Sequence, residues 1–341
     1  MGSEISDIRK VQEIGKSLFI SLPKHWVNQM QLEKGDRITL LLQQNGLLSI
    51  CPEEKEEKPR QIDLEINNES AKSLRRRITG AYVDGFDVIQ LRTKNRFSNE
   101  QYDIIREIVE ELFGLEIVNL GVNVVTVECL LKPVLPIERT IDRIHNIVRA
   151  MFDEIIAALE KHDIDIARGV PRRIHDIRRL SLVIYRALRS MILYPMLAAR
   201  EKMSSIDSVD YLHVLHRITS TANNLKNSSE SIINIEPQAL PKHISKSISK
   251  SFNLTQRLYE DAVHALISKN IVLADVVLDS EPDYEKLWNL CYEAHENSEM
   301  SGLAFSYSHR IIDCLKQIRQ SVAEIAEIAI DRAEAQAKKI D

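Results

Sequence analysis

The tripeptide Gly15-Lys16-Ser17 is the first group of residues in this chain whose types could do chemistry. A phosphate-binding loop has the pattern Gly-x4-Gly-Lys-Ser/Thr, because its first glycine lets backbone N–H groups curl around the phosphates. Lys10 stands where that glycine should be, and the residues after Ser17 predict a strand where the loop should open a helix. The sequence therefore argues against a nucleotide-hydrolysing loop.

Two further groups have the residue types of a ligand site. His213 and His216 lie one helical turn apart with Asp210 nearby, so they are either a metal-binding pair or a mixture of surface and interface residues. A dense basic face has two readings: contact with a phosphate, a nucleotide or a DNA backbone, or pairing with acidic faces of neighbouring helices. Its members are Arg168, Arg172, Arg173, Arg178 and Arg179.

Catalytic residues are not apparent. Serines and histidines are plentiful, but no spacing indicates a nucleophile beside a base, so we do not expect an enzyme. The four cysteines are widely scattered without a CxxC pair, which is typical of free thiols in a reducing cytosol. They are Cys51, Cys129, Cys291 and Cys314.

Composition and charge narrow the class of protein. The chain has 341 residues, with 28% charged and 44% hydrophobic, so two or three folded domains are expected. A net charge of −5 argues against a protein that coats nucleic acid through bulk positive charge, but permits a small DNA-reading module. The most apolar stretch, 180–199, contains Arg186, Arg189 and Pro195 and predicts a buried helix. With charges throughout the first twenty residues, we expect a cytoplasmic protein without membrane insertion.

The elements that position these residues begin with a β-rich domain at 1–52. Residues 8–14 and 17–22 predict strands, Pro23 suits the start of a short helix, and EKGD at 33–36 predicts a turn. Two more strands flank Asn45-Gly46, a strong hairpin signal. So small a domain buries little by itself, so we expect it to dimerise. The charged segment 52–60 predicts a linker.

Residues 60–132 predict a small α/β domain. Strands are expected at IDLEI, FDVIQLRT, LEIVNLG and VNVVTVECLL, with helices at ESAKSLRRRITGAY and SNEQYDIIREIVEELF. Ser98 and Gln101 have the spacing of a capping box at the second helix. Pro133 and Pro136 mark the end of this domain.

Residues 137–341 predict only helices. Apolar residues recur at helical spacing in six segments: 137–161, 163–195, 207–235, 238–269, 271–298 and 302–337. The segment 163–180 aligns with 270–287, and 215–227 aligns with 315–327, which indicates an internal duplication with repeats at about 137–235 and 238–337.

The N-terminal segment resembles the swapped-hairpin DNA-binding domains of the AbrB, SpoVT and MazE type over about 45 residues. IRKVQEIGKSLFISLPKHW followed by LEKGDRITLLLQQNGLLSI has the basic first strand, Gly-x-Ser, Leu-Pro, Lys-Gly-Asp turn and final hairpin in order. The resemblance implies that two chains interleave into one barrel and that basic residues face DNA. By position these are Arg9, Lys10, Lys16, Ser17, Lys24 and His25. Arg9 can offer a fork of donors, and Lys24 lies by a helix N-terminus.

The helical half resembles the PhoU family of phosphate-uptake regulators, built from two repeated three-helix bundles, over about 200 residues. Proteins that join an AbrB-type domain to such a bundle through a small α/β segment are a recognisable archaeal type, and this chain resembles them throughout. The family's metal-binding carboxylates are largely replaced, by Ile174 and Arg178, His216 and Ser220, and Lys316 and Gln320. The second repeat keeps Asp279, Glu281, Asp283 and Glu285, which suit a solvated helix start. We therefore expect no bound metal and no cofactor.

Together these observations predict a multidomain, mainly α protein: a small swapped-hairpin β-barrel domain, a small α/β domain and two tandem three-helix bundles. The expected function is a DNA-binding transcriptional regulator linked to phosphate, forming a homodimer or higher homo-oligomer, with a phosphate-signalling protein as a further partner. One alternative is an adaptor for a phosphate transporter or signalling partner, whose AbrB-type domain serves only dimerisation. A second alternative is a metalloprotein with oxidase-like carboxylate chemistry.

Overall fold

A computed structural model describes residues 7–42, 46–52, 59–67, 69–131, 137–235 and 240–337, in two compact units, 1–59 and 60–341. In the first unit, strands β1 (Gln12–Ile14) and β2 (Ser17–Phe19) form one antiparallel hairpin, and helix α1 (Lys24–Gln29) follows. Strands β3 (Ile38–Leu42) and β4 (Leu48–Pro52) form a second hairpin. Asn45 of the predicted turn and residues 53–58 of the predicted linker lie outside the described residues.

The described residues of the first unit (7–42, 46–52 and 59) do not form a hydrophobic core of their own. Not one of its described residues is buried, although the predicted strands and turn are present. Twelve large apolar side chains are at least 39% exposed: Ile8, Val11, Ile14, Leu18, Phe19, Ile20, Met30, Ile38, Leu40, Leu42, Leu47 and Leu48. A folded domain normally hides such a concentration of apolar surface, so these side chains lack the cover that a stable domain needs.

The second unit begins with a four-stranded sheet in the order β5-β6-β8-β7. Its elements are β5 (Gln61–Glu65), α2 (Ala71–Val83), β6 (Val88–Arg92), α3 (Asn99–Glu111), β7 (Leu115–Leu120) and β8 (Val124–Cys129). Strands β5 and β6 are parallel, and β8 is antiparallel to both of its neighbours. The Ser98–Gln101 capping box is confirmed at the start of α3. Pro133 and Pro136 lie outside the described residues.

The helical part of this unit consists of two successive groups. The first comprises α4 (Ile137–Lys161), α5 (Ile164–Ala167), α6 (Val170–Leu193), α7 (Pro195–Arg200) and α8 (Ser205–Ile235). The second comprises α9 (Lys242–Ser268), α10 (Ile271–Asp279), α11 (Tyr284–Glu296) and α12 (Gly302–Ala337). Among the described residues, no helix is both long and apolar enough to cross a membrane.

The two groups share core positions and helix boundaries. The aligned pairs Ala167 and Ala274, and Val170 and Val277, are all fully buried. Helices α4 and α9 are each followed by a residue with positive φ, His162 and Lys269. The next residue in each case, Asp163 and Asn270, caps the following short helix with its side chain. These correspondences support the duplication.

Two of the six predicted helices are wrong as continuous segments. Residues 163–195 are divided into α5 and α6, and residues 271–298 into α10 and α11. The second break occurs at Glu281-Pro282, because a residue before proline disfavours the helical conformation. The carboxylate of Asp283 then accepts a hydrogen bond from the Lys286 N–H and caps α11.

Arg186 of α6 joins the sheet domain to the helices. Its side chain is buried, and Nη1 donates to the carbonyls of Tyr82 (2.7 Å) and Phe86 (2.8 Å). Nη2 donates to Asp87 Oδ1 at 2.8 Å. The guanidinium also lies 5.2 Å from the centre of the Tyr82 ring. A buried charge is stable only when its donors are satisfied, so this set of acceptors holds α6 against the end of α2.

Candidate nucleic-acid interface

The turn Gly15-Lys16 connects β1 and β2 as a two-residue hairpin loop. Ile14 pairs with Ser17, and Gly15 has φ +68, a conformation in which glycine is favoured. Ser17 opens a strand, as the sequence predicts. A phosphate-binding loop opens a helix with its lysine and serine, so this geometry does not form one.

Arg9 and His25 are brought together by a carboxylate. Arg9 Nη1 and Nη2 donate to the two oxygens of Asp7 at 2.6 and 2.8 Å, and His25 Nδ1 lies 4.0 Å from Asp7 Oδ2. The segment before β1 thus lies beside the start of α1. The Arg9 fork, which could grip guanine or phosphate, is engaged by Asp7 in the free chain.

The other predicted DNA-contacting residues are exposed around the same unit. Lys10 lies in the extended segment before β1, Lys16 in the hairpin turn, and Ser17 at the start of β2. Lys24 is the first residue of α1, after Pro23. No acidic residue lies in the first turn of α1, so Lys24 is not neutralised there. These side chains can offer cations and a hydroxyl to a polyanion.

Asp7 is a residue that sequence reasoning missed. The signal was present, since an acidic side chain two residues before an arginine can fold back onto it. A carboxylate here repels phosphates and competes for the arginine donors. It therefore decides how much of the positive charge of Arg9 is available to a ligand.

The five arginines predicted as an anion site have mostly intramolecular roles. Arg173 forms an ion pair with Glu154, and this hydrogen bonding raises the pKa of the guanidinium. Arg168 lies 3.0 Å from Asp165, and Arg179 Nε donates to the carbonyl of Glu111 at 3.2 Å. Arg172 and Arg178 are exposed. The structure thus does not gather the five guanidinium groups on one ligand.

The residues considered for metal binding all lie on α8. His213 and His216 are both exposed on α8. Asp210 lies 3.7 Å from the Arg332 guanidinium, and burial raises the pKa of that carboxyl above its usual value. In the part of the chain that the structure describes, no group of three or more histidine, cysteine or acidic residues is arranged to hold a metal ion.

Comparison with known families agrees with this architecture. Residues 11–58 match the family described as antidote-toxin recognition MazE, a bacterial antitoxin, and residues 141–232 match the PhoU domain. Both matched families are regulatory domains without enzymatic activity. Comparison with curated proteins gives no match. The chain therefore combines an N-terminal MazE/AbrB-type domain, suggestive of DNA-binding regulation, with a PhoU-type helical domain, suggestive of phosphate-related regulation.

Proposed function

We propose that this protein is a dimeric, cytoplasmic DNA-binding regulator, whose helical half responds to phosphate status or to a phosphate-signalling partner. In this proposal DNA is held by paired N-terminal units, and the PhoU-type bundle acts as the sensing or partner-binding part. The chain regulates without catalysing a reaction.

The observation that carries the proposal is the missing core of the first unit. Twelve large apolar side chains are exposed there, among them Leu18 at 74%. Each buried apolar side chain contributes about 1.5–3 kcal/mol, so a second copy that covers these residues would supply the missing stability. Interleaved hairpins of two chains provide such cover.

Pairing also supplies the charge that one copy lacks. Residues 1–51 contain six Lys/Arg and five Asp/Glu, a net of about +1. A dimer presents Arg9, Lys16 and Lys24 twice on one assembly. A DNA phosphate that approaches Arg9 competes with Asp7 for the same donors.

The helical half fits a bundle that works without the family's metals. Lys316 and Gln320 stand exposed at positions where the resemblance implies carboxylates. Calcium, magnesium and iron prefer oxygen ligands, and an ammonium group in their place repels a cation. The link to phosphate rests on the PhoU match.

A DNA-binding measurement across a salt series tests the proposal. We expect the affinity of the full chain for duplex DNA to fall steeply with salt, since each neutralised phosphate adds about 0.9 to the slope. Arg9→Ala/Lys24→Ala removes four cations from a dimer and should reduce the slope by about three to four. Arg106→Ala/Lys246→Ala, which removes exposed cations from the second unit, serves as the matched control.

Two outcomes would count against parts of the proposal. If Arg9→Ala/Lys24→Ala bound DNA as tightly as the wild type, the assignment of Arg9 and Lys24 as DNA-contacting residues would be wrong. A wild type that dimerises but binds no DNA at low salt would favour the adaptor, in which this unit serves dimerisation alone. The pairing of Asp7 with Arg9 is the observation that favours this second candidate.

A further inference from the structure

A continuous aromatic surface lies on α11 and the first turns of α12. The rings of Trp288 and Tyr292 stack with centres 5.3 Å apart, and Tyr292 meets the edge of Phe305 at 6.2 Å. His295 stacks on the other side of Phe305 at 4.8 Å. Tyr292 is 42% exposed, and Trp288, His295 and Phe305 are half-buried. Rings that pack on one another at the surface present their π faces and edges to solvent.

A hydrogen-bond chain fixes one end of this aromatic surface. Trp288 Nε1 donates to His309 Nδ1 at 3.0 Å, and His309 Nε2 lies 3.5 Å from Asp313 Oδ2. The indole N–H is only a donor, so Nδ1 must accept and the imidazole proton sits on Nε2, towards the carboxylate. The negative charge of Asp313 therefore lies near the Trp288 end of the aromatic surface, beyond His309.

Acidic residues dominate the surroundings. Between residues 284 and 313 five carboxylates stand against two cations: Glu285, Glu293, Glu296, Glu299 and Asp313 against Lys286 and Arg310. Glu285 lies one helical turn before Trp288, and Glu296 one turn after Tyr292, so both border the rings. Aromatic faces bordered by carboxylates attract cations, through the ring quadrupole and through direct charge.

The shape of the surface favours a peptide segment over a small cation. Trp288 and His295 are seven residues apart, which spans about 10 Å along a helix. The rings of Trp288, Tyr292, Phe305 and His295 pack on one another in succession along this distance. Several side chains of an extended or helical segment can contact such a surface at once.

From these observations we propose that the aromatic surface of α11 and α12 docks an arginine- or lysine-bearing segment of a partner protein. Cationic side chains lie over Trp288 and Tyr292, and their charges are balanced by Glu285, Glu296 and Asp313. This contact is independent of DNA binding by the first unit.

A fluorescence titration tests the docking site. Trp26→Phe leaves Trp288 as the single tryptophan, because the chain has two. In this background a hexa-arginine peptide should change the Trp288 emission saturably, and hexa-glutamate should not. Tyr292→Ala should weaken peptide binding about three- to tenfold, the loss expected for one cation–π contact. Leu303→Ala, which changes an exposed apolar residue in the first turn of α12, should leave the affinity unchanged.

Three outcomes would contradict the proposed docking site. An absent emission change, or equal weakening by Tyr292→Ala and Leu303→Ala, would overturn it. So would tetramethylammonium binding as tightly as the peptide, because the surface would then be a small-cation site. None of these results depends on Arg9 or Lys24, so failure here is distinguishable from failure of the proposed DNA site.

Discussion

Helices α6 and α11 occupy equivalent places in the two repeats but have different neighbours. Their inward positions match, since Leu180 and Leu287 are buried, as are Ile184 and Cys291. Their outward positions do not. At the place of Arg186, which is buried against the sheet domain, α11 has Glu293, which is exposed.

The same change, from a basic residue in α6 to an acidic residue in α11, recurs about one helical turn further along. Arg189 lies 2.5 Å from Asp84 of the sheet domain, and its equivalent in α11 is the exposed Glu296. Core positions of a duplicated helix are held by the packing that both bundles need. The residues at outward positions differ, because each copy of the helix packs against different neighbours. The first repeat therefore contacts acidic residues of the sheet domain. In the second repeat, α11 instead exposes acidic residues of its own.

The largest expected effect separates these two helices directly. Arg186→Ala removes the three hydrogen bonds that its buried guanidinium donates to Asp87 Oδ1 and to two carbonyls, so it should lower the free energy of unfolding by about 3–5 kcal/mol. Glu293→Ala, the matched change in α11, should stay within about 0.5 kcal/mol, because the residue is exposed. Urea unfolding followed by helical circular dichroism measures both. Equal losses in the two variants would contradict the proposed difference between the repeats.

A smaller loss of stability is expected where α12 contacts the end of the short helix α10. Arg319 of α12 donates to the carbonyls of Val277 (3.0 Å), Leu278 (3.1 Å) and Ser280 (2.7 Å) and so closes the end of α10. Arg319→Ala should cost about 1.5–3 kcal/mol, the range for hydrogen bonds to a charged group. The aligned residue in the first repeat is Thr219, whose hydroxyl donates within its own helix to the carbonyl of Leu215 at 2.9 Å.

The control for Arg319 is therefore Thr219→Ala, which should cost about 0.5–1.5 kcal/mol. Hydrogen exchange provides the specific readout. Faster exchange of the Ser280 amide in Arg319→Ala, and unchanged exchange there in Thr219→Ala, is the expected pattern. Protection retained at Ser280 in Arg319→Ala would show that α10 ends independently of this arginine.

The smallest effect concerns the contact between the repeats. His145 of α4 stacks on Tyr259 of α9 at 5.3 Å, and burial lowers the pKa of its imidazole, with Arg149 acting in the same direction and Asp142 opposing it. The unfolded chain then binds the proton more readily, so stability should fall as pH drops below the usual histidine value of about 6.5. His145→Phe keeps the ring and should reduce this acid sensitivity.

Thermal unfolding measured from pH 7.5 to pH 5 tests this prediction. His175→Phe changes an exposed histidine of α6 and should leave the acid sensitivity as in the wild type. An identical pH dependence in His145→Phe and the wild type would exclude His145 as its source.

Much of the fold was predictable, because helices and hairpins depend on the types of residues and their spacing within short segments of the chain. Apolar periodicity predicts α4 at 137–161 and α12 at 302–337 with the bounds that the structure has. The residues EKGD at 33–36 and Ser98 indicate a turn and a cap through the chemistry of their own neighbourhoods. The breaks before α6 and α11 were missed, because apolar residues recur at helical spacing across both of them.

The sequence by itself determined the order of the helices and strands and the inward-facing residues, and it indicated a duplication, since each depends on residue type at short, regular spacing. Only the tertiary structure decided what the polar side chains touch. It placed Arg186 among carbonyls about 100 residues away and joined Trp288 to His309 across two helices. The position of a charged or aromatic residue in the sequence does not indicate which residue it will contact. That contact depends on which surfaces the packed core brings together.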